Sequence, residues 1–327
     1  MKYRNFADSS VKVSEVGVGT WQFGGDWGEV SEESALKTLD AAVKAGVTFI
    51  DTADVYGAGR SENFIGKYLE QSKAKVFLAT KLTRFPKPGW PDNFSWDAFQ
   101  KHTEASLERL GVEALDLTQL HCTPFEILKK GEVFEWLRKL KKNGKIKQFG
   151  ASVESMEEGL FCLEQEGLAS LQIIFNIFRQ KPIDILFEKA KSKKVSLIIR
   201  LSLASGILSG KFKKDTRFAP QDHRTYNRDG KAFNVGETFA GLPFEKGVEL
   251  ADKLKALVPP GMSLSQMANR WCLDFDAVTT IIPGAKNPDQ ASENARASDL
   301  PPLSKELHQM LKEFYNKEVE AHIRGPY

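Results

Sequence analysis

The feature that most constrains this chain is an alternation. A short apolar run, a turn and an amphipathic stretch recur eight times between Val16 and Asn294. Runs such as Val76-Phe77-Leu78-Ala79-Thr80 and Ser196–Leu201 are continuously apolar rather than alternately polar, which suits parallel strands buried on both faces. Strands are expected at Val16–Gly19, Thr48–Asp51, Val76–Thr80, Leu115–His121, Ile146–Ser152, Leu171–Phe175, Ser196–Leu201 and Val278–Ile282. Helices are expected at about 31–44, 62–70, 96–110, 132–142, 156–166, 183–193 and 244–257, and from Pro288 onward. Ser61 reads as the N-cap of the second helix. Tyr3–Val13 reads as a hairpin lid, and 264–273 and 304–316 as additional helices. Eight βα units with no composition break predict an α/β fold, a (β/α)8 TIM barrel with a short N-terminal hairpin and extra C-terminal helices, forming one domain over 1–327. The rival doubly wound sheet announces its nucleotide site by G-x-G-x-x-G after the first strand. Here Gly17-Val18-Gly19 leads into Thr20-Trp21-Gln22, and the third glycine is missing.

Composition excludes several function classes. With 41% hydrophobic and 27% charged residues the balance is globular. A net charge of +3 with scattered lysines argues for neither a nucleic-acid nor a membrane partner. No apolar run approaches the roughly 18 residues of a membrane span, and Met1–Asn5 lacks the apolar core of a signal peptide. Cys122, Cys162 and Cys272 are odd in number and show no metal-ligand spacing, so no metal site is expected and a cytoplasmic location is the simplest.

The chemistry falls at strand ends, where barrels carry their active sites. Asp51 closes the second strand, Tyr56 lies in the loop beyond it, Lys81 follows the third and His121 ends the fourth. An unperturbed phenol titrates near ~10 and a lysine near ~10.4. A lysine ammonium beside a phenol stabilises phenolate, and a carboxylate keeps that lysine charged once desolvated. A neighbouring imidazole can hydrogen-bond and orient a carbonyl oxygen. Taken singly, each residue also has a structural reading: a turn cap, a pocket wall, an exposed strand-end charge, a buried histidine. Together they form a proton donor for an oxygen that gains negative charge.

Phe-Ile-Asp-Thr-Ala-Asp-Val-Tyr-Gly (49–57), Ala-Thr-Lys (79–81), Asp-Leu-Thr-Gln-Leu-His (116–121), Leu-Ala-Ser-Gly-Ile-Leu-Ser-Gly-Lys (203–211) and Ile-Pro-Gly-Ala-Lys (282–286) resemble the aldo-keto reductases. The resemblance runs in order from about Val16 to Asn294. It implies carbonyl–alcohol interconversion with a nicotinamide cofactor, usually NADPH, with NAD possible. Tyr56 would be the general acid, with Asp51, Lys81 and His121 supporting it. Ser152 and Gln172 match residues that hold the nicotinamide carboxamide, although Val153 stands where the family commonly has Asn. Arg200 stands where the family generally has an aromatic residue that stacks on the nicotinamide. Its guanidinium could stack in that place or pair with an acid in the barrel. Glu293 and Asn294 match positions that hold adenine; Gln290 occupies a frequent Arg position.

Two further cofactor segments follow from residue type. Leu203 to Lys211, with Ser205, Gly206 and Leu208, is a small-residue loop able to approach a pyrophosphate. Gly284 to Gln290 leads into a helix capped by Asn287, whose N-terminus suits a phosphate, with Lys286 adding positive charge. Trp21, Phe23, Trp27, Phe85 and Trp90 suggest an aromatic substrate pocket for a small carbonyl or alcohol. The thirty-odd residues between Lys211 and Phe244 read as a flap. Two alternatives stay open: an NAD-linked alcohol or polyol dehydrogenase on the same barrel, and a cofactor-binding regulatory barrel without enzymatic activity.

Overall fold

The chain opens with an antiparallel hairpin, β1 (Tyr3–Asn5) and β2 (Lys12–Ser14), and then winds into eight parallel strands. The computed structural model describes residues 1–327. The strands are β3 (Val18–Gly19), β4 (Phe49–Asp51), β5 (Phe77–Leu82), β6 (Leu115–His121), β7 (Ile146–Ser152), β8 (Leu168–Ile174), β9 (Ser196–Arg200) and β10 (Val278–Ile281). Each pairs in parallel with the next. The ring closes where the Gly17 and Gly19 amides donate to the Ile281 and Pro283 carbonyls at 2.8 and 3.2 Å. This is the expected (β/α)8 fold with its hairpin.

Most elements lie where the apolar pattern put them. Helices Trp96–Leu110, Glu132–Lys142 and Leu264–Leu273 match their expected spans. Serine caps set several helix starts: the Ser31, Ser95 and Ser304 side chains accept from Ser34, Ala98 and Leu307 amides. The second helix departs from expectation. It begins at Arg60 behind Gly59, in the left-handed region at φ 94°, and Ser61 is buried inside it. The Ser61 hydroxyl accepts from Thr52 Oγ1 at 2.9 Å and donates to Thr20 Oγ1 at 2.8 Å. It therefore ties the helix to the ends of β3 and β4 instead of capping it. The expected sixth helix is broken into Pro182–Ile185 and Phe187–Ser192, and a short helix, Phe125–Lys130, precedes the fourth.

The hairpin closes the barrel floor. Phe6 and Val13 pack with Phe49, Phe77, Leu117, Ile198 and Ile282, and the Phe6 and Phe77 rings lie 4.6 Å apart. Burying a side chain as large as Phe6 is worth roughly 1.5–3 kcal/mol. A larger apolar cluster fills the space between strands and helices. No helix is long and apolar enough to cross a membrane.

The loop from Lys211 to Phe244 is folded rather than extended. It carries short helical turns at His223–Tyr226, Val235–Glu237 and Phe239–Gly241. The His223 amide donates to the Asp26 carbonyl at 2.8 Å, and the Tyr226 hydroxyl donates to Asp26 Oδ1 at 3.0 Å. These bonds join the loop to the segment after β3.

Candidate active site

At the C-terminal ends of β4, β5 and β6 the four strand-end residues converge. The Lys81 ammonium is bonded to Asp51 Oδ1, donates to the Thr52 carbonyl at 2.8 Å and reaches the Tyr56 hydroxyl at 3.3 Å. The Tyr56 and His121 rings meet edge to face, 5.8 Å between centroids. Two glutamines complete the carboxylate's shell: Gln172 Nε2 donates to Asp51 Oδ2 at 2.7 Å and Gln119 Nε2 at 3.4 Å. Sequence reasoning assigned Gln172 elsewhere and passed over Gln119, which looked like one more position of the β6 pattern. Tyr56 is presented by a backbone crossing with no room for side chains. A Cβ on Gly24 would lie 2.8 Å from the Gly57 amide, and Gly57 itself has φ +61°.

Burial governs how these groups titrate. It lifts the Tyr56 phenol to about 12, because the Lys81 charge offsets the loss of water only in part. Burial also pulls the Lys81 ammonium down, but Asp51 and Tyr56 outweigh it and leave it above its ordinary value. Asp51 is raised by burial despite Lys81 and the glutamines. Burial, with the charges of Arg84, Lys81 and Arg200, holds His121 well below the ordinary imidazole value. At neutral pH the site thus offers a protonated phenol, a charged lysine and a neutral imidazole whose Nδ1 has no partner.

A cavity of about 750 Å³ extends from this group across the barrel mouth. Its walls include Trp21, Ser152, Gln172 and Arg200 at the Tyr56 end, and Trp27 lies between that end and Lys286. Leu203, Ser205, Gly206 and Lys211 line its middle, and Gly284, Lys286, Gln290, Glu293 and Asn294 its far end. Four expected members lie elsewhere. Phe23 is fully buried in the core, because the short helical turn Trp21–Gly24 rotates it away from Trp21. Trp90 is 64% exposed and packs edge-on against Phe94. Leu208 faces the core from the underside of its loop. Phe85, also read as aromatic wall, packs on His102 and under Arg109. Only 7 of the 32 lining residues are hydrophobic, and Trp21 and Trp27 are the members of the expected aromatic pocket that line the cavity.

The far end has helix N-terminal geometry. Asn287 accepts from the Gln290 amide at 3.0 Å, and Gln290 folds its own side chain back to accept from the Lys286 amide at 2.9 Å. The Lys286 ammonium is bonded to the Trp27 carbonyl across the groove. Arg224, from the long loop, was not foreseen. It faces the cavity, forks onto Asp222 at 2.6 and 2.9 Å and lies 4.8 Å over the Trp27 ring. Burial and the Arg224 charge lower the Lys286 pKa, so an anion between them would find two cations.

A second charged group lies at the barrel mouth, and Arg200 is part of it. Its Nη2 donates to the Val153 carbonyl at 3.1 Å and to Cys122 Sγ at 3.7 Å, and its Nη1 lies 3.8 Å from Glu237. Glu237, delivered by the long loop, engages the guanidinium as the acid partner that one of the two readings of Arg200 expects, and Arg200 also lines the cavity. Arg84 Nη2 reaches Glu154 at 3.4 Å and Glu237 at 3.5 Å, and the Cys122 thiol points at Glu237, 3.6 Å away. Burial and Glu237 push Glu154 up, whereas Arg84 and Arg200 hold Glu237 down against burial. The ligand atoms of Cys122, Glu154 and Glu237 lie within 4.8 Å of one another, but two guanidinium groups already supply positive charge there. Arg84, Cys122, Glu154 and Glu237 carried no sequence signal beyond the adjacency of Cys122 to His121. Thr83, Cys122 and Leu201, just beyond β5, β6 and β9, all have positive φ (96°, 49° and 57°). Such backbone costs roughly 1–3 kcal/mol per residue and gathers at functional sites. All three thiols are held high by burial, Cys122 to about 12.

The residues suit a dinucleotide. Amide and hydroxyl groups stand at the catalytic end, a tight loop with Ser205 and Gly206 at positive φ runs along the middle, and a capped helix start closes the far end. Buried Gln22 Oε1, beside Gly284 in the wall, lacks any partner. The aldo/keto reductase family model matches residues 15–316. The chain belongs to the aldo/keto reductase family. It is 30% identical over 300 residues to the aldo-keto reductase YhdN of Bacillus subtilis, covering 89% of this chain and 86% of that one. A glycerol dehydrogenase from Gluconobacter oxydans superposes with a TM-score of 0.78 at 28% identity, over 99% of this chain and 98% of its own. A probable voltage-gated potassium channel subunit beta of Arabidopsis thaliana is 27% identical over 325 residues, 93% of each chain. Membership of the aldo/keto reductase family makes this barrel kin to NAD(P)-dependent oxidoreductases.

Proposed function

We propose that this aldo/keto reductase interconverts aldehydes or ketones and alcohols, prefers NADPH, and uses Tyr56 as its general acid and base. The observation that carries the reading is Lys81, bonded to Asp51 and to the Tyr56 hydroxyl at the head of the long polar cavity. A carbonyl oxygen placed between Tyr56 and His121 meets a phenol that donates its proton and a neutral imidazole that orients it. Lys81 steadies the phenolate left behind, and Asp51 with Gln172 and Gln119 keeps Lys81 charged in a site that excludes water. When bound, a nicotinamide supplies the hydride. Ser152 and the Gln172 carbonyl would hold its carboxamide, Leu203–Lys211 would follow the pyrophosphate, and Gly284–Asn294 would take the adenosine end. Lys286 and Arg224 together favour the extra phosphate of NADPH over NADH.

The test is nicotinamide absorbance with a panel of aldehydes and ketones, using each cofactor in turn. Turnover with NADPH exceeding that with NADH is expected; binding of NADPH without turnover on any carbonyl would refute it. That second outcome would favour a cofactor-sensing barrel, a reading that the resemblance to a probable potassium channel subunit keeps open. Turnover best supported by NAD and alcohols would instead favour a dehydrogenase like the Gluconobacter oxydans neighbour.

A further inference from the structure

The proposed reaction uses Tyr56, Lys81, Asp51 and His121 and gives no role to the second charged group at the barrel mouth. That group is unusual in its chemistry. Glu237 and Arg200 both border the catalytic end of the cavity, yet Glu237 is only 5% exposed and every charge contact within the group is loose. The contacts to Glu237, from Arg84, Arg200 and Cys122, measure 3.5, 3.8 and 3.6 Å, and all involve Oε1. Good hydrogen bonds to carboxylates are nearer 2.7–2.9 Å. Oε2 has no such contact from these three groups, the Glu154 carboxyl is the remaining hydrogen-bond partner of Glu237, and Arg200 Nε is buried without a partner. A loosely held carboxylate and guanidinium therefore line the cavity with bonding capacity left for a ligand.

Such a wall selects by chemistry. An apolar chain placed against Glu237 and Arg200 would strip water from a carboxylate and a guanidinium and return nothing. A ligand with hydroxyl groups next to its carbonyl both donates to the carboxylate and accepts from the guanidinium. We propose that Glu237, held between Arg84 and Arg200, is a specificity-determining residue that accepts hydrogen bonds from substrate hydroxyls, so that the substrates are hydroxylated aldehydes and ketones and the matching polyols. This rests on the oxidoreductase reading above. Delivery of Glu237 depends on the long loop and the chain end: Arg324 donates to the Gly241 carbonyl at 3.0 Å and pairs with Asp229 at 2.8 Å, and Arg179 reaches the Ala240 carbonyl at 3.3 Å. Glu237 is thus placed by tertiary contacts on both flanks and is not a residue on a free loop.

The experiment compares kcat/KM for glyceraldehyde and for propanal, which lacks both hydroxyls, in the wild type, Glu237→Gln and Glu237→Asp. The intrinsic reactivity of the two aldehydes cancels when their ratio is compared between variants. Glu237→Gln is expected to lower the glyceraldehyde-to-propanal ratio roughly tenfold or more, chiefly through KM, since an unmade bond to a buried charged group is worth that much. Glu237→Asp keeps the charge on the arginines but shortens the reach, and its ratio should fall between the two. A ratio that does not move in melting-competent Glu237→Gln would overturn the proposal. So would a wild type that prefers glyoxylate to both aldehydes, because the arginines would then be reading an anion. Tryptophan fluorescence titrated with glycerol separates this from the parent reading. Tighter glycerol binding by wild type than by Glu237→Gln, with no turnover of any carbonyl, would sink the enzymatic reading and keep this one. Equal binding without turnover would sink both.

Discussion

Two groups of charges at the barrel mouth are built to different tolerances. In the group around Lys81, the Lys81 ammonium and the Asp51 carboxylate are 1% and 3% exposed, and Gln172 closes on Asp51 at 2.7 Å. In the group around Glu237, Arg84 and Arg200 stand 3.4–3.8 Å from Glu154 and Glu237. The first group hangs mainly on strands, whose register fixes each side chain. The second is carried mostly by the loops that follow strands and by the long segment before Phe244. On the proposed reading, chemistry that needs one geometry sits on the strands, and recognition, which differs between substrates, sits where loops can be altered without disturbing the barrel.

The largest expected effect falls on the tighter group. Tyr56→Phe should reduce turnover of an activated aldehyde by roughly 10²–10⁴-fold, with cofactor affinity nearly unchanged. A steady-state assay with the cofactor dissociation constant measured alongside checks this, and a mutant within a few-fold of wild type would remove Tyr56 as the acid.

A pair of charge deletions tests the difference in tolerance itself. Lys81→Met leaves a buried carboxylate without its partner and should cost roughly 3–5 kcal/mol of stability, besides abolishing turnover. Arg84→Met removes a guanidinium whose side chain is 28% exposed and whose contacts are long. It should cost less than Lys81→Met, because Arg200 still faces Glu237 and the lost contacts are long. Denaturant unfolding of both would read the contrast, and equal losses would erase it.

Acid should loosen the long loop before it disturbs the strands. His223 lies against Trp21 and Trp27, with ring centroids 4.6 and 4.3 Å away, and burial holds its pKa at about 4 against an ordinary 6.5. A group whose folded pKa is depressed takes up its proton more readily when unfolded. Its contribution is therefore complete above pH 6.5 and is lost as pH falls toward 4. Over that window the loss is roughly 3 kcal/mol, at about 1.4 kcal/mol per pKa unit. Melting temperatures at pH 7 and 4.5 should diverge in the wild type and converge in His223→Phe; parallel slopes would contradict this.

The smallest effect lies at the far end of the cavity. Lys286→Ala should weaken NADPH by roughly 10- to 150-fold, the range of a charged hydrogen bond worth about 1.5–3 kcal/mol. NADH should be affected much less. Equal losses would place Lys286 on the pyrophosphate instead.

The same division explains what could be read from the sequence. Strands β6 and β7 and the helix Trp96–Leu110 agree with expectation to the residue, because burial periodicity is a local property. The convergence of Asp51, Tyr56, Lys81 and His121 was legible for a related reason, since neighbouring strands of a barrel put their ends side by side. Local reasoning failed where contacts span the chain. Glu237 meets Arg84 across 153 residues of sequence, and no pattern around either residue announces the other. Ser61 looked like a helix cap because serine often is one. Tertiary partners at Thr20 and Thr52 claimed its hydroxyl, and Gly59 took the turn. Phe23 shows the converse error. An aromatic residue near a site was read as wall, although a single helical turn sends alternate side chains to opposite sides.

The three thiols, Cys162 and Cys272 buried and Cys122 half-buried, give the molecule a practical property. Thiol-directed reagents act through the thiolate, and none of Cys122, Cys162 and Cys272 supplies it near neutral pH. Cys162 and Cys272 are therefore a quiet background for labelling, and half-buried Cys122 is replaced first. A single cysteine introduced at exposed Lys214 would take a fluorophore or nitroxide alone and report the excursions of the long loop directly. Whether that loop stays shut or swings during each cycle then becomes a spectroscopic question.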